Sequence, residues 1–216
     1  MTTVVLVDDA DAARERMRVD LEQRGIVVLG TAEDGRSGVE LVRRVEPDVV
    51  VLDIRMRSLD GIAAAAETLE ARLPTRLLVL TAVDHDEHVY DALRAGAAGF
   101  LLDVTPPDRL AEAIETVAAG DTILAPVMTR RLVEKHVRRP STAAGPSPRL
   151  AALSDREVDV VTMVAEGLGN EEIAAKLSVA TPTVRAHVDR ILAKLDLVSR
   201  AQILILAYET GLLRGD

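Results

Sequence analysis

Asp8, Asp9 and Asp53 are the residues whose type and placing could do chemistry. Asp8 and Asp9 close an apolar, β-branched run, VVLVDD, and Asp53 closes a second, DVVVLD, with Pro47 ahead of it and polar residues behind. Short continuous apolar runs of this kind read as strands buried on both faces of a parallel sheet. Open α/β sheets place their chemistry at the carboxyl ends of such strands. Two strands ending in carboxylates therefore offer an all-oxygen cluster suited to a hard divalent cation.

The elements that must position them alternate along the first half of the chain. Thr3–Val7, Ile26–Gly30, Asp48–Leu52, Arg76–Leu80 and Gly99–Leu102 are strand-like. Amphipathic stretches follow each: Ala12–Arg24, Arg36–Val45, Ile62–Arg72, Glu87–Ala95 and Asp108–Ala119. Five βα units with short connections predict an α/β domain, a five-stranded parallel sheet covered by helices, with right-handed crossovers. The acidic ends of the first and third strands should then share one rim. His85 and His88, beside Asp84, Asp86 and Glu87, read as a solvated acidic first turn of a helix.

Pro126–Arg138 predicts one more helix, and RPSTAAGPSPR, Arg139–Arg149, loses all periodicity and reads as a linker. The expected division is a first domain over 1–122, a helix and linker over 123–149, and a small all-α, four-helix domain over 150–216. Ser154 and Glu157 have capping-box spacing, followed by Val158, Val161, Val164 and Ala165 at helical intervals. Gly167-Leu168-Gly169 reads as a turn, Asn170 as the cap of a second helix, and Thr181-Pro182 as the cap and first residue of a third. Two short helices around a tight turn suit a helix-turn-helix.

Composition narrows the classes. At 216 residues and 48% hydrophobic, the chain is too apolar for a disordered protein. There are no cysteines, and no apolar segment approaches the roughly 20 residues that span a bilayer, so the expectation is a cytoplasmic protein with no membrane partner. A net charge of −9 opposes nucleic-acid binding for the chain as a whole. Between Ile173 and Arg200, however, Lys176, Arg185, Arg190, Lys194 and Arg200 outnumber Asp189 and Asp196.

Asp8-Asp9, Asp53, Gly61, Thr81 in RLLVLTA and Phe100 in GAAGFLLDVTPP make the first 119 residues resemble the receiver domain of bacterial two-component response regulators. The resemblance implies a flavodoxin-like fold and phosphoryl transfer from a histidine kinase to Asp53. It implies Mg²⁺ held by Asp8, Asp9, Asp53 and the backbone carbonyl of Arg55, with Thr81 and Phe100 as switch residues. Two positions depart from the family. Asp103 stands where receivers carry a lysine, and Arg57 where they usually carry proline. An anion in place of a cation beside the phosphoryl group predicts that Asp53 is phosphorylated poorly or not at all, with control by a divalent cation, a ligand or a partner as the alternative.

Leu153–Leu197 resembles the LuxR-type helix-turn-helix through Glu157, Gly167, Ile173, Ala174, Leu177, Thr183-Val184, His187-Val188 and Lys194-Leu195. Together the two halves resemble the NarL/FixJ class of transcriptional regulators, which implies double-stranded DNA as partner and Pro182–Leu195 as the recognition helix. Arg185, opposite the Val184/Val188 stripe, is the first choice for a base or phosphate contact. Thr183, Ala186, His187, Asp189, Arg190, Lys194 and Lys176 complete the expected DNA-facing set, with Asp189 restricted to donors such as cytosine N4. The last helix, about Ser199–Leu212, carries an apolar surplus, and Ile203, Leu206 and Leu213 are expected to form a homodimer on DNA. An enzyme is not expected: the aspartate-nucleophile phosphatases of the haloacid-dehalogenase type need D-x-D, which Asp8-Asp9-Ala10 lacks.

Overall fold

The β-branched runs pair as their patterning demands. In a computed structural model, residues 1–54, 56, 67, 75–81, 92–124 and 148–212 are described. The chain divides into two compact units, Met1–Ala125 and Pro126–Asp216. The first contains β1 (Thr3–Val7), α1 (Asp11–Glu22), β2 (Val27–Ala32), α2 (Gly35–Val45), β3 (Val49–Asp53), β4 (Arg76–Thr81), β5 (Gly99–Leu102), α3 (Pro107–Ala118) and β6 (Ile123–Leu124). All strands are parallel, in the order β2-β1-β3-β4-β5-β6. The five expected strands are there; the sixth, two residues long, lies in a stretch read from sequence as the start of the linker segment. The amphipathic stretches expected over 62–72 and 87–95 lie largely outside the described residues, as do His85, His88 and the helix and most of the linker expected over 126–149.

The register of β1 against β3 is set by a side-chain clamp at their amino ends. Thr3 N and Oγ1 each donate to Asp48 Oδ2 at 2.8 Å, and Asp48 N donates to Thr3 Oγ1 at 2.9 Å. The Thr3 amide holds the Asp48 carboxyl below its ordinary pKa. Beyond this clamp Val4, Val5, Leu6 and Val7 pair with Val49, Val50, Val51 and Leu52. Alternate residues then serve opposite faces: Val4, Leu6, Val49 and Val51 enter one core with Leu21 of α1 and Ile114 and Val117 of α3. On the other face α2 presses so close to β1 that a Cβ on Gly38 would meet Val7 Cγ2 at 2.9 Å.

Among its described residues the second unit has a short 3₁₀ turn (Pro148–Ala152), then α4 (Asp155–Ala165), α5 (Asn170–Leu177), α6 (Thr181–Leu195) and α7 (Arg200–Glu209). Ile173, Val184, Val188, Ile191 and Ile203 meet Val160, Val161 and Val164 in its core. The capping box at Ser154 and Glu157 forms. Two expected caps do not. Gly169, not Asn170, caps α5, and its amide is satisfied by Glu172 at 2.8 Å. Ala180 precedes α6, so Thr181 is already helical and Pro182 sits in the first turn without a side-chain cap. Asn170 is instead buried, accepting from Arg200 Nη1 at 2.6 Å.

Glu157 is a polar tie between α4 and α6. It is 3% exposed, receives the Ser154 amide at 2.8 Å, and takes Lys194 Nζ of α6 at 2.6 Å. The Lys194 ammonium first, then the Ser154 amide, pull its carboxyl down to about 2. A depressed carboxylate contributes stability that is present above its unfolded pKa and lost as pH falls through the folded one. Thermal unfolding of the second unit should therefore move to lower temperature between about pH 4.5 and about pH 2. Glu157→Ala should cost about 2 kcal/mol at neutral pH, read by urea unfolding, and should flatten that acid dependence.

Candidate functional site

The strand order reverses beside β1 and β3, and a ligand crevice belongs at such a switch point. A cavity of about 450 Å³ opens there, with Asp8, Asp53 and Asp103 in its wall. The register that pairs Val7 with Leu52 carries Asp8 and Asp53 to neighbouring strand tips one residue further on. Asp8 is 7% exposed, and its Oδ1 accepts the Ala10 amide at 2.7 Å, closing the turn into α1. The Asp8 carbonyl accepts from Arg14 Nη1. Asp53 is half-buried and Asp103 exposed, on the loop after β5. Asp9 follows Asp8 directly and is half-buried, but does not line the cavity among the described residues.

Other expected members are placed unevenly. Phe100 is fully buried opposite Val79, so it already occupies an inward position. Thr81 ends β4 opposite Leu102, and its side chain is not among those described. Arg55, Arg57 and Gly61 lie outside the described residues. Among the described residues, no group of three or more His, Cys, Asp or Glu side chains is set to hold a metal. The donor chemistry still fits Mg²⁺, which binds through one or two carboxylates and retains several waters. Asp8 and Asp53 supply two carboxylates facing one cavity.

Sequence reasoning passed over Arg16, which lines the same cavity from α1. Its signal was faint, because α1 carries several arginines and their spacing does not tell which one faces the strand tips.

In the second unit α6 buries Val184, Val188 and Ile191 and turns Thr183, Arg185, Ala186, Asp189 and Arg190 outward. Arg185 makes no hydrogen bond or ion pair among the described residues. The other expected cations are engaged. Lys194 holds Glu157, Lys176 lies 3.5 Å from Glu166, and Arg190 folds back to donate to the Ala186 carbonyl at 2.9 Å and meet His187 Nδ1 at 3.2 Å. Burial first, then the charges of Arg190 and Arg156, lower the His187 pKa, which disfavours a positive charge on its ring. Arg200, counted with the basic face from sequence, is 6% exposed and donates inward to Asn170 and the Leu168 carbonyl. It belongs to the scaffold. Ile203 and Leu206 are 0% and 2% exposed, so the apolar surplus of α7 is covered within this chain; Leu213 lies outside the described residues.

The geometry agrees with what the chain is similar to. Residues 4–115 match the response regulator receiver domain, and residues 151–207 match the bacterial regulatory proteins of the luxR family. Over 213 residues the chain is 35% identical to an uncharacterized transcriptional regulatory protein, YxjL, of Bacillus subtilis, covering 98% of this chain and 97% of that one. It is 34% identical over 213 residues to the oxygen regulatory protein NreC of Staphylococcus carnosus, covering 97% and 98%. Among solved structures, the response regulator ChrA of a heme-sensing two-component system shares 31% identity and a TM-score of 0.52, covering 98% of both chains. A parallel-sheet unit with carboxylates at its switch point, joined to a helix-turn-helix unit, thus has its family: the chain belongs to the two-component response regulators that carry a LuxR-type DNA-binding domain, and it is a transcriptional regulator.

Proposed function

We propose that Asp53 is the phosphoacceptor of this regulator, that a histidine kinase is the donor, and that the state of Asp53 governs how α6 engages double-stranded DNA. The observation that carries this reading is the shared cavity of Asp53 and Asp8 at the sheet's switch point. A carboxylate oxygen of Asp53 attacks the donor's phosphorus. The new P–O bond forms as the bond to the donor's leaving group breaks, and that group departs with the electron pair. Little covalent assistance is needed; positioning and charge neutralisation supply the catalysis. Asp8, Asp9, Asp53 and the Arg55 carbonyl would hold a Mg²⁺, whose contribution is neutralising the oxygens in transfer. Thr81 and Phe100 would report the new charge to the rest of the receiver.

Asp103 favours a slower version of this reaction. It places a carboxylate in the wall of the cavity that must accept a phosphoryl dianion. Like charges at about 4 Å repel by roughly 4 kcal/mol at an effective dielectric near 20, and solvent at this exposed position reduces that figure. Labelling by acetyl phosphate with Mg²⁺ should therefore run about ten-fold faster in Asp103→Lys than in the native chain. Equal rates would show that the carboxylate at 103 does not limit the reaction.

On the DNA side, Arg185 is exposed and makes no ion pair among the described residues, and it is the residue that would reach a base or phosphate. Thr183, Ala186, His187, Asp189 and Arg190 shape the same face, while Lys194 and Lys176 act chiefly on the scaffold. The two-fold arrangement on DNA would need a surface other than the buried Ile203 and Leu206. Arg185→Ala should weaken binding to the protein's own promoter DNA by about ten-fold or more, measured by fluorescence anisotropy, with Glu157 and the fold intact. Unchanged affinity would remove Arg185 from the interface.

A further inference from the structure

The cavity at the strand tips has an arginine in its wall to which sequence reasoning assigned no role. Among the described residues lining it are four carboxylates, Asp8, Asp20, Asp53 and Asp103, and one cation, Arg16. The neighbouring arginines of α1 and its C-terminal turn are committed elsewhere. Arg14 pairs with Asp11 and donates to the Asp8 carbonyl, Arg18 is held between Glu15 and Glu22, and Arg24 joins Asp108 at 2.6 Å. Asp20, one helical turn after Arg16, faces Arg24 at 3.9 Å instead. Arg16 is exposed at the cavity wall and makes no ion pair among the described residues.

We infer that Arg16 is the protein's own phosphoryl-binding cation: on transfer to Asp53, its guanidinium engages the phosphoryl oxygens and offsets the charge that Asp103 leaves uncompensated. This rests on Asp53 being the phosphoacceptor. Arginine suits the task, because its planar fork pairs with two phosphoryl oxygens at once and never loses its charge. An α1 origin also explains how a cavity whose β5 side ends in a carboxylate can still receive a dianion.

Two readouts test this on the full-length chain with Mg²⁺. One is the rate of Asp53 labelling by acetyl phosphate; the other is the affinity for beryllofluoride, a non-transferable phosphoryl mimic. Arg16→Gln should lower both by about ten-fold, Arg16→Lys should retain most of each, and Arg18→Gln, on the same helix but paired outward, should change neither. A native chain that labels at Asp53 while Arg16→Gln labels and binds beryllofluoride equally well would overturn the role of Arg16 alone. A native chain that is labelled to the same extent as Asp53→Asn would overturn the phosphoacceptor reading, and this inference with it. Equal loss in Arg16→Gln and Arg16→Lys, with the fold preserved by circular dichroism, would also count against a charge role.

Discussion

The register of β1 against β3 is the constraint on which the receiver depends. Side chains in a sheet alternate with a period of two, so slipping one strand by one residue would turn its apolar set to the wrong face. It would also separate Asp8 from Asp53. Thr3 and Asp48 fix that register at the amino ends, where three hydrogen bonds join the two strands before the apolar pairing begins. At the carboxyl ends the same register brings two carboxylates to one cavity. Chemistry at one edge of the sheet is thus held by polar contacts at the other, through strands whose cores are fully buried.

The DNA-binding unit follows a similar economy, with its polar groups turned inward as ties. Glu157 joins the start of α4 to the end of α6 through Lys194, and Arg200 joins α7 to the turn before α5 through Leu168 and Asn170. Each would be costly if left unpaired, since a buried charge needs a partner to offset lost hydration. Paired, they tie α6 to α4 and α7 to the start of α5. Two cations therefore serve the scaffold, and the basic character of the exposed face narrows to fewer residues than the chain's charge pattern implies.

Much of this was legible in the sequence because burial on both faces writes itself as β-branched runs: β1 and β5 were readable to the residue, and β3 and β4 to within one. The Ser154–Glu157 cap was legible for a similar reason, since its chemistry is local. What escaped was long-range. β6 is two residues long, too short to show any period, and forms because Gly99 leaves room for the Ile123 carbonyl, which a Cβ there would meet at 2.9 Å. Asn170 looks like a cap until Arg200, thirty residues later, claims its oxygen. Ile203 and Leu206 look like surface surplus because a run of apolar residues does not reveal how many sides of a helix the rest of the chain covers. Arg16 could be told from its neighbours on α1 by knowing which of them already had partners, and that is a property of the fold.

The central claim is that charge added at Asp53 governs the affinity of α6 for DNA. The most direct measurement is the binding isotherm of the full chain on its promoter DNA, with and without beryllofluoride and Mg²⁺, in the native protein and in Asp53→Asn. The account predicts that beryllofluoride shifts the native isotherm and leaves that of Asp53→Asn in place. An isotherm that beryllofluoride leaves unmoved in the native chain, or moves equally in both, would contradict it.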